Sequence, residues 1–161
     1  MRAEIVKINS ENPELSLVKY AADQIRAGEV LGMPTDTFYG LAADPFNLRA
    51  VDRVYDIKTR SRHKPLSLLI ESVDQAEELA KKLPEEFYAL ARKFWPGPLT
   101  VIVKAGSRLP LKVTANTGNV ALRVPNAKIP LAVVTAAAIP ITGLTHRGVT
   151  AFATCVAHPM A

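Results

Sequence analysis

Short apolar runs alternate along this chain with stretches in which apolar residues recur every three or four positions. The runs predict buried strands, and the longer period predicts amphipathic helices. We predict strands at residues 3–8, 30–33, 65–70, 99–103, 119–124 and 139–142. We predict helices at residues 13–27, 48–57, 73–80, 84–94 and 131–138. Strands that alternate with helices in this way indicate an α/β fold.

Residues that cap or stop helices stand at most of these boundaries. Asn12 and Asn47 are expected to cap the first two helices, and Gly28 to stop the first. Ser72 and Gln75 have the spacing of a capping box. The helix at 84–94 is expected to bury Phe87, Leu90, Ala91 and Phe94.

The pattern ends after Gly143, because no period continues through residues 144–161. We therefore predict one domain at residues 1–143 and a divergent, loosely packed C-terminal tail at 144–161. A length of 161 residues suits one domain with its own core.

The composition of the chain limits which cellular compartment and which classes of partner are expected. The net charge of +5 and pI of about 9.5 fit a phosphorylated small molecule, a nucleic acid or an anionic surface, although many soluble domains are mildly basic. Cys155 is the only cysteine, which excludes an internal disulfide and favours a reducing cytoplasm. The first residues lack the apolar core of a signal peptide, and no apolar run has the length of a membrane span, so we expect no membrane partner.

Two loops carry candidate chemistry. Residues 58–64, here called the basic loop, hold five cationic or potentially cationic side chains in seven positions. Their mutual repulsion destabilises the loop unless solvent or an anion relieves it, which favours a polyanionic ligand. Residues 34–37, here called the Pro-Thr-Asp-Thr loop, follow the strand at 30–33, where α/β proteins often bind ligands. The alternative is a simple turn held by local side-chain hydrogen bonds.

Arg123 stands alone in an apolar run, where burying its charge is costly without an anionic partner. It is expected either on the solvent face or against a ligand carboxylate or phosphate. His63, His146 and His158 are scattered along the sequence, so we expect no structural metal. The sequence also contains no phosphate-binding loop of the GxxxxGK[ST] type and no GxGxxG dinucleotide fingerprint.

Five linked motifs resemble one known family. They are Pro34-Thr35-Asp36-Thr37-Phe38-Tyr39-Gly40-Leu41, Lys58-Thr59-Arg60, Lys64-Pro65-Leu66-Ser67, Phe94-Trp95-Pro96-Gly97-Pro98-Leu99-Thr100 and Ala121-Leu122-Arg123-Val124-Pro125-Asn126. In this order and spacing they resemble the YrdC-like threonylcarbamoyl-AMP synthases. The resemblance implies a twisted mixed β-sheet flanked by helices around a basic concave cavity.

The resemblance also implies an activity. Such enzymes form threonylcarbamoyl-adenylate from L-threonine, bicarbonate and ATP and release pyrophosphate. The product serves threonylcarbamoyladenosine modification of tRNA by a downstream transferase, and Mg²⁺ is expected on the pyrophosphate. By this resemblance, L-threonine is bound by Thr35, Thr37, Ser67 and Arg123. Lys58 and Arg60 are the expected catalytic residues, and the nucleotide is bound by Lys58, Arg60, Lys64 and Thr145.

Two positions depart from the family pattern. Leu69 stands where some relatives have a threonine-binding His, and Leu144-Thr145-His146-Arg147 stands where the family has Thr-Ser-Ala-Asn. We therefore expect an impaired nucleotide half, and a gain in adenylate synthesis if Thr-Ser-Ala-Asn is restored at 144–147 together with a family-like C-terminus. The alternatives are a non-catalytic RNA-binding module, whose basic loop meets phosphate backbone, and a poorly stable remnant with an exposed sheet edge.

Overall fold

The computed structural model describes residues 3–145 and 154–158. Along these residues the elements are β1 (Glu4–Lys7), α1 (Leu15–Arg26), β2 (Val30–Met33), β3 (Gly40–Ala42), α2 (Leu48–Ile57), β4 (Ser67–Leu69), α3 (Val73–Leu79), α4 (Glu85–Phe94), β5 (Val101–Lys104), α5 (Leu111–Thr114), β6 (Asn119–Arg123), α6 (Lys128–Ala137), β7 (Ile141–Thr142), β8 (Leu144–Thr145) and β9 (Thr154–His158). The predicted α/β class is confirmed.

The strands form two sheets. The first has the order β1-β9-β2-β3-β8, and its neighbouring strands are antiparallel. The second has the order β5-β6-β4-β7 and is mixed, because β4 and β6 run parallel while the other pairs are antiparallel. Leu69 on β4 lies in register with Arg123 on β6, so the end of β4 is fixed beside that arginine.

Two described C-terminal segments, residues 144–145 and 154–158, form strands where a loosely packed tail was predicted. β8 pairs with β3, and β9 lies between β1 and β2 with Gly32 opposite Val156. Val156 and Ala157 pair on both sides, with β1 and with β2, although residues 154–158 show no clear sequence period. The domain boundary at Gly143 stays a prediction, and His146 and Arg147 lie outside the described residues.

Two hydrophobic clusters pack around the sheets. One surrounds the second sheet with α2, α3 and α4, and its largest buried side chains include Tyr55, Phe87 and Leu122. The other packs α1 and α6 together, with Ile25 and Val134 fully buried. Fully burying an aliphatic side chain contributes about 1.5–3 kcal/mol, so these clusters supply the main stabilisation.

One predicted helix face is partly wrong. Phe87 and Ala91 of α4 are buried, but Leu90 and Phe94 are 39% and 43% exposed. Trp95, just beyond the helix, packs edge-on against Phe87 with ring centroids 5.4 Å apart. The indole ring thus covers the core where the helical pattern placed Phe94.

The capping predictions have mixed outcomes. The Asn47 side chain accepts the N–H groups of Arg49 and Ala50, which confirms it as the cap of α2. Helix α1 instead begins at Leu15 after Glu14, so the prediction that Asn12 caps it is wrong. The cause is local: the side-chain oxygen of Asn9 accepts the N–H of Asn12 and holds it in a preceding turn.

Within residues 3–145 and 154–158, no helix combines the length and hydropathy required to cross a membrane.

Candidate functional site

The Pro-Thr-Asp-Thr loop is folded by its own hydroxyl group. The Thr35 hydroxyl accepts the N–H groups of Thr37 and Phe38 at 3.2 Å and donates to the Phe38 carbonyl at 2.6 Å. The simple-turn alternative therefore describes Thr35 well, because its hydroxyl is engaged locally. The Thr37 hydroxyl lies 3.2 Å from that of Thr35, and it also accepts from Arg123 Nη1 at 3.4 Å, so Thr37 links the loop to Arg123.

Arg123 is buried at the centre of this part of the site, with 8% of the residue exposed. Its Nε donates to the Gly97 carbonyl at 2.9 Å, and its Nη2 donates to a carboxylate oxygen of Asp36. Neither sequence alternative named this arrangement, because the anionic partner belongs to the chain itself. The carboxylate and two further hydrogen-bond acceptors offset the cost of burying the guanidinium charge.

Ser67 and Leu69 of β4 lie on the same face of the second sheet as Arg123 of β6. Alternate residues of a strand share a face, and Leu69 is in register with Arg123. The Ser67 hydroxyl donates to the Gly143 carbonyl at 3.3 Å. Leu69 is 3% exposed, and a methyl group added at Gly143 would lie 2.5 Å from its Cγ. Leu69 therefore packs tightly against the β7–β8 connection.

The basic loop forms an open depression of about 280 Å³. It is lined by Lys58, Thr59, Arg60, Ser61 and Lys64. The Arg60 guanidinium donates to the carbonyls of Lys64 at 3.3 Å and Pro65 at 2.8 Å, which folds the loop around it. Burial, followed by the nearby charge of Arg60, lowers the pKa of Lys58. Lys58, Arg60 and Lys64, the predicted nucleotide ligands of this loop, are thus brought together.

Arg62 does not share that role. Its guanidinium bonds to Asp52 at 2.5 Å and Asp56 at 2.7 Å and lies 4.9 Å from the centre of the Tyr55 ring. Carboxylates of α2 therefore relieve part of the repulsion for which the sequence suggested solvent or an external anion. Asp52 also pairs with Lys112 of α5 at 2.7 Å, and this hydrogen bond is the main reason that its pKa is lowered.

The Tyr55 hydroxyl holds the end of the basic loop to α5 through two backbone carbonyls, a role that the sequence did not predict. Tyr55 is 2% exposed, and its hydroxyl lies 3.0 Å from the Lys64 carbonyl and 2.9 Å from the Lys112 carbonyl. Burial raises the pKa of this phenol. The helical pattern identified only its core-facing ring.

The two parts of the site are joined by a short stretch of chain. The basic loop ends at Lys64, β4 begins at Ser67, and Leu69 of β4 is in register with Arg123. Among residues 3–145 and 154–158, no group of three or more His, Cys, Asp or Glu side chains is arranged to hold a metal ion. The side chain of Thr145 lies outside the described part of the structure, so its role in nucleotide binding stays a prediction.

A model of the Sua5/YciO/YrdC family, described as "Telomere recombination", matches residues 23–148. The chain belongs to this family. The matched residues include the Pro-Thr-Asp-Thr loop, the basic loop and Arg123, so the whole described site lies within the family domain.

Curated relatives and a solved structure agree with this membership. The threonylcarbamoyl-AMP synthase of Pyrococcus abyssi is 39% identical over 77% of this chain and 36% of its own length. That of Pseudomonas fluorescens Pf0-1 is 41% identical over 66% of this chain and 58% of its own length. The crystal structure of P. abyssi Sua5 complexed with L-threonine superposes with a TM-score of 0.82 at 37% identity, over 86% of this chain and 41% of that one. The chain thus spans about a third to under two thirds of the length of these relatives.

Proposed function

We propose that this chain is a threonylcarbamoyl-AMP synthase that joins L-threonine, bicarbonate and ATP into threonylcarbamoyl-adenylate. The observation that carries the proposal is the path of β4. This strand leaves a depression lined by cations and ends in register with a buried arginine that has carboxylate-binding chemistry. One end suits phosphates and the other suits an amino acid, and the enzyme must hold both.

L-Threonine is placed at Arg123. A guanidinium donates strong, directional hydrogen bonds to carboxylates, and the Gly97 carbonyl and Asp36 already fix its orientation. Thr37 touches the guanidinium and faces the same ligand. Thr35 shapes the loop through its local hydrogen bonds, and Ser67 lines the site from β4. The relative whose structure holds L-threonine shares this fold, which supports the assignment.

ATP is placed over the basic loop as its magnesium complex, with Thr145 as a further contact. The ammonium group of threonine first loses a proton to solvent, and the neutral amine then condenses with bicarbonate with loss of water, or adds to carbon dioxide with loss of a second proton, to give a carbamate. A carbamate oxygen then attacks the α-phosphorus, and the bond to pyrophosphate breaks. Two anions must approach each other in this step, so Lys58 and Arg60 neutralise charge and align the groups, and Lys64 holds the leaving phosphates. Mg²⁺ supplies further charge neutralisation on the pyrophosphate.

The product is an activated carbamoyl group, which serves threonylcarbamoyladenosine formation in tRNA through a downstream transferase. A cytoplasmic location follows from that role in the proposal. A gain in activity on restoring Thr-Ser-Ala-Asn at 144–147 together with a family-like C-terminus would support the predicted impairment of the nucleotide half.

Pyrophosphate release tests the proposal. Release should require L-threonine, bicarbonate and MgATP together. Arg60→Ala should lower kcat/KM by about 100-fold or more, the cost of losing one preorganised charged donor. Arg92→Ala is the matched control, because Arg92 is an exposed arginine of α4 whose only described ion pair, with Glu85, spans 3.9 Å. RNA binding that weakens steeply with salt, without threonine-dependent release, would refute the enzyme and favour the RNA-binding alternative.

A further inference from the structure

The hydrogen bonds around Arg123 leave part of the ion pair unused. A guanidinium carries five N–H groups. Among the described residues, three of them meet acceptors, which are the Gly97 carbonyl, Thr37 Oγ1 and Asp36 Oδ1. Asp36 uses Oδ1 for this pair, and its Oδ2 has no hydrogen-bond donor among those residues. Arg123 therefore keeps N–H donors available for a ligand, and Asp36 Oδ2 keeps an available acceptor beside them.

The ion pair between Arg123 and Asp36 is largely but not completely buried. The side chains of Arg123 and Asp36 are 9% and 12% exposed, so solvent reaches them along a narrow edge. Oδ2 cannot be fully enclosed, because no fully buried side-chain oxygen in the described part of the chain lacks a partner. A small ligand can replace that solvent and meet both charges in surroundings of low polarity.

We propose that Asp36 accepts the α-ammonium group of the amino-acid substrate while Arg123 takes its carboxylate. This inference rests on the proposed function and adds a binding residue to it. A free amino acid is a zwitterion, and a side-by-side carboxylate and guanidinium present the complementary pair of charges. The ion pair and the ligand are each neutral overall, so binding adds no uncompensated charge to a buried site.

The arrangement also gives specificity. A carboxylate ligand without an amino group leaves Asp36 Oδ2 without a donor and brings two negative charges together. Sites built to pair a polar group discriminate strongly against analogues that lack it. The site should therefore prefer L-threonine over 3-hydroxybutyrate, which keeps the carboxylate, the hydroxyl and the methyl group and lacks only the amine.

Calorimetric titration with these two probes tests the inference on the full chain. Asp36→Asn keeps the shape of the side chain and an oxygen for Arg123, but it removes the charge that faces the ammonium group. It should weaken L-threonine binding by about 10- to 100-fold, the range for a lost hydrogen bond to a charged group. Binding of 3-hydroxybutyrate should stay unchanged or improve. Asp74→Asn, at an exposed carboxylate in the first turn of α3, is the matched control and should alter neither affinity.

The outcomes separate this role from a purely structural one. If Asp36 only orients Arg123, Asp36→Asn should weaken both ligands equally, and that result would overturn the inference. Circular dichroism must show that the variant is folded; Asp36→Glu, which restores the charge, should recover part of the threonine affinity if the inference holds and none if it does not. Selective loss of threonine affinity in a chain that releases no pyrophosphate would support the inference and refute the proposed catalysis. If the wild-type chain binds neither probe, both fail.

Discussion

Removing the hydroxyl of Tyr55 should loosen the basic loop without emptying the core. The hydroxyl is the one side-chain group that lies within hydrogen-bond distance of both the Lys64 and Lys112 carbonyls in the described structure. Tyr55→Phe keeps the ring, which is 2% exposed and fills the space beside α2, so no large cavity forms. The variant isolates a hydrogen-bond effect from a packing effect.

The expected cost follows from burial. A carbonyl that loses its donor in a buried setting costs about 1–3 kcal/mol, whereas the loss of an exposed hydrogen bond costs much less. One hydroxyl hydrogen serves two carbonyls here, and the Lys64 carbonyl keeps its hydrogen bond from Arg60, so we expect one such penalty rather than two. Urea denaturation should show a loss of about 1–3 kcal/mol with an unchanged slope, because the surface exposed on unfolding hardly changes.

A second readout ties the loop to function. The Lys64 carbonyl also accepts from Arg60, so its displacement should move the cations of the depression and raise the KM for ATP more than that for L-threonine. Tyr88→Phe is the control, because the Tyr88 hydroxyl makes an exposed hydrogen bond to Glu77 at 2.8 Å. It should change stability by less than about 0.5 kcal/mol. Equal stability losses in the two variants would show that the Tyr55 hydroxyl does not stabilise the basic loop.

Two further predictions concern packing and pH. Gly143→Ala places a methyl group 2.5 Å from Leu69 Cγ, so urea denaturation should show a loss of about 1–3 kcal/mol that Leu69→Ala in the same chain reduces; an unaffected single variant would contradict the packing. Asp52 has a pKa held below its ordinary value of 3.8, chiefly by its hydrogen bond from Lys112 and also by Arg62. Its contribution to stability is therefore complete above pH 3.8 and is lost as the pH falls through the lower folded value. The difference in unfolding free energy between the wild-type chain and Asp52→Asn should be constant near neutrality and shrink in acid, and a difference that grows there would contradict the ion pairs.

Local features of this chain were predictable because their causes lie within a few residues. The cap at Asn47 and the stop at Gly28, whose φ is +91°, depend only on neighbouring backbone. The motifs also brought Lys58, Arg60 and Lys64 to one loop. The family resemblance stated from those motifs is confirmed by the match over residues 23–148.

Long-range contacts were not predictable in the same way. Asp36 and Arg123 are separated by 87 positions, and Tyr55 reaches the Lys112 carbonyl across 57. No local period records such pairings. The sequence signal that was available for Asp36 is an acidic residue between two threonines, next to an apolar strand. The pairing of β9 with β1 and β2 is a further case, because its register is set by partners about 125 to 150 residues earlier in the chain.

The most direct test of the proposed reaction is the mass of its product. The full chain is incubated with L-threonine, MgATP and ¹³C-bicarbonate, and the nucleotides are separated and weighed by mass spectrometry. The expected product is a threonylcarbamoyl-adenylate that is one mass unit heavier than the unlabelled compound, formed with an equal amount of pyrophosphate and absent without L-threonine. ATP recovered unchanged, or an adenylate that carries no ¹³C, would contradict the proposed reaction.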